Sequence, residues 1–206
     1  MPPLNFSKLL RSHLASLASA FDPDELAYLA MTGKIEHAVR DRLAFSIYTE
    51  FKAKSLPLIV AREWKRVDLA ILEGKTPCMF LELKAMYSYN MFSPKATTQF
   101  PGAIADDLEK LKLLDKNLLS PPSEHFALAI LTHPHAMPND FEKSVVKYSR
   151  GIHKFRPPSI SKLRAATLEN FSKHTTFKLR NLSSGVAFGV KVTVYYCLFG
   201  PYQSAA

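Results

Sequence analysis

The first quarter of the chain repeats apolar residues at helical spacing. In residues 1–21 they recur every three to four positions, which predicts an amphipathic helix. Asp22-Pro23-Asp24-Glu25 predicts a helix start, with Asp22 as N-cap and Pro23 at the first helical position, and this helix runs to about Met31. A longer helix is predicted from about Lys34, because an apolar residue recurs every four positions at Ile35, Val39, Leu43, Ile47 and Phe51.

At Val67 the period changes to two, which predicts β-structure. Residues 67–72 and 78–85 form two apolar runs, and residues 73–77 (EGKTP) between them supply turn-forming side chains. The two runs are therefore predicted to pair as a hairpin. With the turn centred near Gly74 and Lys75, Asp68 falls across from Glu82.

The remaining pattern predicts helices and strands in alternation. A helix is expected from about Ala103, a buried strand over residues 126–132, and helices near 139–150 and 160–173 with a basic loop at 151–159 between them. A long β run at 186–199 closes the chain. This order predicts one α/β (α+β) domain with a mixed central sheet. Its parts are an N-terminal helical extension (1–33), a core (34–133), and a basic helical region with a C-terminal strand (134–206).

Composition narrows the class of protein. With 206 residues, 47% of them hydrophobic, the chain can bury a core, so wholesale disorder is not expected. No apolar run reaches the roughly 18–20 residues that span a bilayer, so no membrane segment is expected. Cys78 and Cys197 lack the spacing of a metal site or redox motif, and we interpret them as buried apolar residues in a cytoplasmic protein.

The positive charge is concentrated in one region. The net charge is +9, and residues 141–180 hold ten Lys or Arg against Glu142 and Glu169, which leaves +8 there. A concentrated basic region is typical of a polyanion-binding surface, although a solvated lysine-rich surface explains the charge equally well. The candidate nucleic-acid-binding residues are Lys147, Arg150, Lys154, Arg156, Lys162 and Arg164.

Three charged residues interrupt the apolar runs of the hairpin. Asp68, Glu82 and Lys84 are predicted to share one face, because side chains alternate along a strand. Two carboxylates supply oxygen ligands for a divalent cation such as Mg²⁺, and a lysine can orient water or neutralise charge on a phosphoryl transition state. A salt bridge between Lys84 and either carboxylate is the structural alternative.

The sequence Val67-Asp68, a turn, and then Glu82-Leu83-Lys84 resembles the PD-(D/E)XK nuclease superfamily, with Val67 in the place of the proline. The likeness covers roughly residues 34–133. It implies a restriction-endonuclease-like α-β-β-β-α-β core, with a mixed central sheet, helices on both sides and residues 56–60 as the first strand. It further implies that Asp68 and Glu82 bind metal, that Lys84 is catalytic, that Glu36 is a helix-borne auxiliary ligand, and that Gln99 is an auxiliary residue.

The resemblance implies a Mg²⁺-dependent endonuclease acting on DNA, with Mn²⁺ as a substitute ion. A homodimer is expected if both strands of a duplex are cut. Two other hypotheses are a catalytically inactive nucleic-acid-binding subunit of the same fold and an RNA-processing nuclease. His133 and His135 are interpreted as a hydrogen-bonded or exposed pair, because no Cys or carboxylate accompanies them at zinc-site spacing.

Overall fold

The computed structural model describes residues 4–92, 96–118, 123–139, 145–147, 149–171 and 177–203. Short 3₁₀ segments follow two of the elements, at Leu17–Ala20 and Ser88–Phe92. The helices are α1 (Phe6–Ser16), α2 (Glu25–Thr32), α3 (Glu36–Ala53), α4 (Ala96–Leu118), α5 (Ser149–Phe155) and α6 (Ile160–Asn170). The strands are β1 (Leu58–Trp64), β2 (Val67–Glu73), β3 (Thr76–Tyr87), β4 (Glu124–Pro134), β5 (Arg180–Ala187) and β6 (Val190–Gln203).

The six strands form one mixed sheet in the order β1-β2-β3-β4-β6-β5. Strands β3 and β4 are parallel, because α4 carries the chain from the end of one to the start of the other. The remaining neighbours are antiparallel. Along the chain, α3-β1-β2-β3-α4-β4 follow one another, which is the order predicted from the sequence. The mixed α/β class is therefore confirmed.

Helices cover both faces of the sheet. In β4, Phe126, Leu128 and Ile130 pack into a core with α1 and α3, whereas Ala127, Ala129 and Leu131 pack into a second core with α4 and α6. Side chains that alternate in a strand point to opposite faces, so each set belongs to a different layer. The α3 stripe predicted from the sequence (Ile35, Val39, Leu43, Ile47 and Phe51) is buried throughout.

A β-bulge sets the register of the β2–β3 hairpin. Near the turn, Leu72 faces Pro77, but the next residue of β2, Ile71, faces Met79. Cys78 therefore has no opposite residue in β2, and β3 bends around one extra residue. Beyond the bulge Leu69 faces Leu81, which brings Asp68 and Glu82 to adjacent positions on one face. The tight turn uses Gly74 at a φ of 61°.

A buried polar cluster fixes the end of α4 to the start of β4. Asp115 accepts hydrogen bonds from the Ser123 backbone N–H at 3.0 Å, the Ser123 hydroxyl at 2.8 Å and His125 Nε2 at 3.0 Å. His125 and Ser123 are fully buried, and burial lowers the pKa of His125. The neutral imidazole therefore carries its proton on Nε2, the nitrogen that faces the carboxylate.

Four local predictions are wrong. Helix α2 begins at Glu25 and not at Pro23, because Asp24 takes a left-handed conformation and its carboxylate accepts the Val186 N–H at 2.7 Å. Most of the predicted loop at 151–159 is instead helix α5. The predicted helix at 139–150 lies partly outside the described residues, and Val145–Lys147 within it is a turn. The C-terminal run contains two strands, because the chain reverses at Phe188-Gly189.

No helix among the described residues is long and apolar enough to cross a membrane.

Candidate active site

Two carboxylates accept backbone N–H groups in the second half of β3, where that strand extends past the first residue of β2. Strand β2 begins at Val67, whereas β3 continues to Tyr87, so the later N–H groups of β3 have no partner in β2. Asp68 Oδ2 accepts the Leu83 N–H at 2.7 Å, and Glu36 Oε1 accepts the Ala85 N–H at 2.8 Å. The strand edge therefore holds both carboxylates in place and keeps each of them half-buried.

Glu82 is the most deeply buried acid of this group, with only 5% of its surface exposed. Its carboxyl group lies within hydrogen-bonding reach of Asp68. Burial, together with the neighbouring Asp68 charge, raises the pKa of Glu82 to about 8, although Lys110 acts in the opposite direction. Two carboxylates in this position repel each other unless a proton or a cation lies between them.

Two lysines approach the carboxylates from the same side. Lys110 Nζ lies 2.5 Å from Glu82 Oε1 and donates to the Arg66 carbonyl oxygen at 2.8 Å. Lys84 Nζ lies 3.1 Å from Asp107 Oδ2. Burial alone would lower the pKa of Lys84, but the charges of Asp107, Glu82 and Glu36 outweigh it and raise that pKa. Lys84 therefore stays charged at neutral pH.

All four residues predicted for the site come together at one end of the hairpin. Asp68 and Glu82 are paired, Lys84 faces the same layer, and Glu36 reaches Ala85 from the first turn of α3. The structural alternative for Lys84, a salt bridge with Asp68 or Glu82, is not formed, because Lys84 pairs with Asp107 instead.

Sequence reasoning missed Asp107, Lys110 and Arg40. Asp107 and Lys110 lie three residues apart on α4, so they share one face of that helix. Arg40 lies one turn after Glu36 on α3 and contacts Asp41 and Glu63. Burial lowers the pKa of Arg40, but Asp41, Glu63 and Asp68 outweigh it. The sequence shows the spacing of these residues, but it does not show against which strand each helix packs.

The donor set fits a divalent cation in part. Asp68 and Glu82 supply the oxygen ligands that Mg²⁺ prefers, and burial together with the Asp68 charge raises the pKa of Glu82. Against this, the described residues contain no group of three or more His, Cys, Asp or Glu placed to hold a metal ion. Glu36 points its Oε1 atom at the Ala85 N–H.

The predicted nucleic-acid-binding residues all lie on the surface. Helices α5 and α6, which carry most of them, pack against the 3₁₀ segment Ser88–Phe92. That segment directly follows β3, the strand that carries Glu82 and Lys84. The exposed cations are Lys147, Arg150, Lys154, Arg156, Lys162 and Arg164.

The weaker candidates have separate outcomes. Gln99 lies in α4, but its side chain is outside the described residues.

His133 is buried and its Nδ1 lies 2.9 Å from the Ser88 hydroxyl, while His135 Nε2 lies 2.9 Å from the Thr193 hydroxyl. The prediction of a hydrogen-bonded histidine pair is confirmed. Burial lowers the pKa of His133 to about 4, so this pair is uncharged at neutral pH.

Comparison of the chain with protein-family models, with curated proteins and with solved structures finds no significant match. The case for any function therefore depends on the residues and the geometry described above.

Proposed function

We propose that this protein is a metal-dependent nuclease that hydrolyses phosphodiester bonds in DNA. The observation that carries the proposal is the pairing of Asp68 with Glu82, whose pKa is raised to about 8 beside two lysines. Strongly perturbed titratable groups that cluster at a strand end are typical of catalytic sites. The proposal includes the restriction-endonuclease-like core that the order of elements resembles.

Each residue has a defined role in this proposal. Asp68 and Glu82 would hold Mg²⁺ or Mn²⁺, and Glu36 is an auxiliary ligand after release of the Ala85 N–H. The bound ion would polarise a phosphoryl oxygen and lower the pKa of a water. Lys84, with 37% of its side chain exposed, orients that water or stabilises negative charge on the phosphoryl oxygens. The basic surface of α5 and α6 holds the neighbouring phosphates.

One observation supports a second hypothesis. Lys110 already places an ammonium group 2.5 Å from Glu82, so the chain itself offers a cation where the ion would bind. A protein that keeps this contact in the presence of Mg²⁺ would bind nucleic acid without cutting it. The assay must therefore measure binding and cleavage separately.

The test is cleavage of supercoiled plasmid, single-stranded DNA and single-stranded RNA, with Mg²⁺, with Mn²⁺ and with EDTA. We expect metal-dependent cleavage of DNA, and a loss of at least about a hundredfold in Lys84→Met. Lys75→Met, at the exposed turn of the same hairpin, is the matched control and should cut like wild type.

Three results would count against the proposal. No metal-dependent cleavage of any substrate, combined with salt-sensitive binding, would favour the inactive binding subunit. Faster cleavage of RNA than of DNA would favour the hypothesis of an RNA-processing nuclease. Full activity in both Lys84→Met and Asp68→Asn would move the active site elsewhere. Sedimentation of the protein, free and on duplex, tests the homodimer that cleavage of both strands requires.

A further inference from the structure

A second charged site lies at the sheet edge formed by β5, and its lining comes from both faces of the sheet. A pocket of about 250 Å³ is lined by Arg11 of α1, by Lys178 and Arg180 at the start of β5, and by Phe177, Tyr196 and Leu198. Tyr196 and Leu198 belong to the core that contains α1 and α3, whereas Glu82 and Lys84 face α4. Strand β5 is three strands from β3, roughly 14 Å at the usual strand spacing.

The three cations of this pocket come from separate parts of the chain. Arg180 pairs with Tyr196 in the β5–β6 ladder, and Arg11 reaches the same place from the first helix. Arg11 donates to the Ser7 hydroxyl at 3.3 Å, which orients its guanidinium along α1. Among the described residues, no carboxylate lies within ion-pair distance of Arg11, Lys178 or Arg180. Three like charges therefore converge without a counter-charge from the described chain.

The floor of the pocket is apolar and aromatic. Tyr196 and Leu198 are nearly fully buried, and Phe177 packs against Phe171 and Phe199 with ring centroids 5.8 Å and 5.2 Å apart. Burial raises the pKa of Tyr196, while the nearby Arg180 and Arg11 act in the opposite direction, so its hydroxyl stays protonated at neutral pH. The lining of the pocket therefore combines three cations with a neutral phenol, which is able to donate a hydrogen bond.

We propose that this pocket binds the phosphate monoester of a nucleotide, either at the end of a nucleic-acid strand or on a free nucleotide. A monoester carries about −1.5 to −2 charges at pH 7, against one for an internal phosphodiester, so three cations match the monoester better. Arginine recognises phosphate through paired N–H donors, and the exposed part of Phe177 offers an apolar surface for sugar or base. The proposal does not depend on the nuclease function.

The test measures binding in EDTA, where metal-dependent hydrolysis cannot occur. The probes are a short oligonucleotide with a 5′-phosphate, the same oligonucleotide with a 5′-hydroxyl or a 3′-phosphate, the matching nucleoside monophosphate, and inorganic phosphate. We expect a phosphorylated end to bind about tenfold or more tightly than the unphosphorylated oligonucleotide. If the free monophosphate competes as well as the strand, the ligand is the free nucleotide; if it competes poorly, the ligand is the strand end.

Substitutions of the pocket cations test whether the phosphorylated probe binds in this pocket. Arg11→Gln and Arg180→Gln should each weaken binding of the phosphorylated probe about tenfold, and Lys178→Gln should weaken it less. Arg62→Gln and Lys75→Gln, exposed and remote from the pocket, are the matched controls and should bind like wild type. Circular dichroism confirms that every variant is folded. Equal binding of phosphorylated and unphosphorylated probes, or unchanged binding in Arg11→Gln and Arg180→Gln, would overturn the proposal.

Discussion

Helix α4 contributes to two charged clusters that differ in how their charge is compensated. At its C-terminal end, Asp115 accepts three hydrogen bonds from Ser123 and His125 and is almost completely buried. Five residues earlier on the same helix, Lys110 meets Glu82, which also lies beside Asp68. In the first cluster the Asp115 carboxylate is matched by three donors, although His125 Nδ1 is buried without a hydrogen-bond partner among the described residues. In the second cluster, burial and the neighbouring Asp68 charge raise the pKa of Glu82, and Lys110 only partly opposes them. A carboxylate matched by buried donors indicates a structural role, and a buried carboxyl group with a strongly raised pKa beside a second acid indicates a site for a ligand.

The largest expected effect is on the buried cluster of Asp115, Ser123 and His125. Asp115→Ala removes the acceptor of three buried donors, so we expect the free energy of unfolding to fall by about 3–5 kcal/mol. Urea denaturation measures this change. Asp106→Ala, at an exposed position of the same helix, is the matched control and should change stability by less than about 0.5 kcal/mol. A small effect of Asp115→Ala would mean that the cluster contributes little to the fold.

The second prediction concerns Glu82, whose pKa is raised to about 8 by burial and by Asp68. Between the ordinary carboxyl pKa and pH 8, the folded protein keeps a proton that the unfolded chain has released. Stability should therefore fall as the pH rises through this window, by on the order of 5 kcal/mol, and level off above it. Glu82→Gln should abolish this fall, whereas Glu109→Gln, exposed on α4, should retain it.

Adding a divalent cation gives a second test of the prediction for Glu82. If Mg²⁺ binds at Asp68 and Glu82, it should lower the pKa of Glu82, release a proton and remove the alkaline loss of stability. Thermal denaturation at pH 8.5 with Mg²⁺ and with EDTA measures this shift. The same Tm in both, over a series of Mg²⁺ concentrations, would contradict metal binding at this pair.

The third prediction concerns the cluster of Asp115, Ser123 and His125, where stability should change with pH in the opposite direction. Burial lowers the pKa of His125, so below the ordinary histidine pKa the unfolded chain takes up a proton that the folded protein does not. Stability should therefore fall as the pH drops below about 6.5. His133, whose pKa is lowered to about 4, acts in the same direction. The acid-side fall should be reduced in His133→Gln but not lost, because His125 and His135, whose pKa is also lowered by burial, still contribute; complete loss would contradict both contributions.

The smallest expected effect is on Lys110, whose side chain is 43% exposed. Lys110→Met should change stability at neutral pH by less than about 1 kcal/mol, because the ammonium group is largely solvated and Glu82, with a pKa of about 8, is mostly protonated there. It should also raise the pKa of Glu82 further, since the ammonium favours the carboxylate. The shift is measured from the free energy of unfolding as a function of pH on the alkaline side, with Lys112→Met as the control. An unchanged profile would mean that Lys110 does not compensate Glu82 in solution.

The sequence predicted the elements whose apolar pattern was strong. The repeat of α3 was sufficient because this helix buries one continuous face, and the apolar runs of the hairpin were sufficient because both faces of its strands are largely buried. Strand β5 was not recognised as separate, because its residues (RNLSSGVA) are mostly polar and it lies at the sheet edge. Asp68, Glu82 and Lys84 were predicted from local order alone. Asp107 and Lys110 were missed because their role depends on where α4 packs, which no local pattern encodes.

The bulge at Cys78 determines which changes of chain length the site tolerates. The turn alone, continued without a bulge, would place Asp68 across from Leu81 and turn it away from Glu82. Deleting Cys78 would leave the opposing residues unchanged and only straighten β3. Deleting Leu81 would instead turn Glu82 and Lys84 to the opposite face and dismantle the site. Insertions and deletions should therefore be accepted at residue 78 and rejected a few residues later in the same strand.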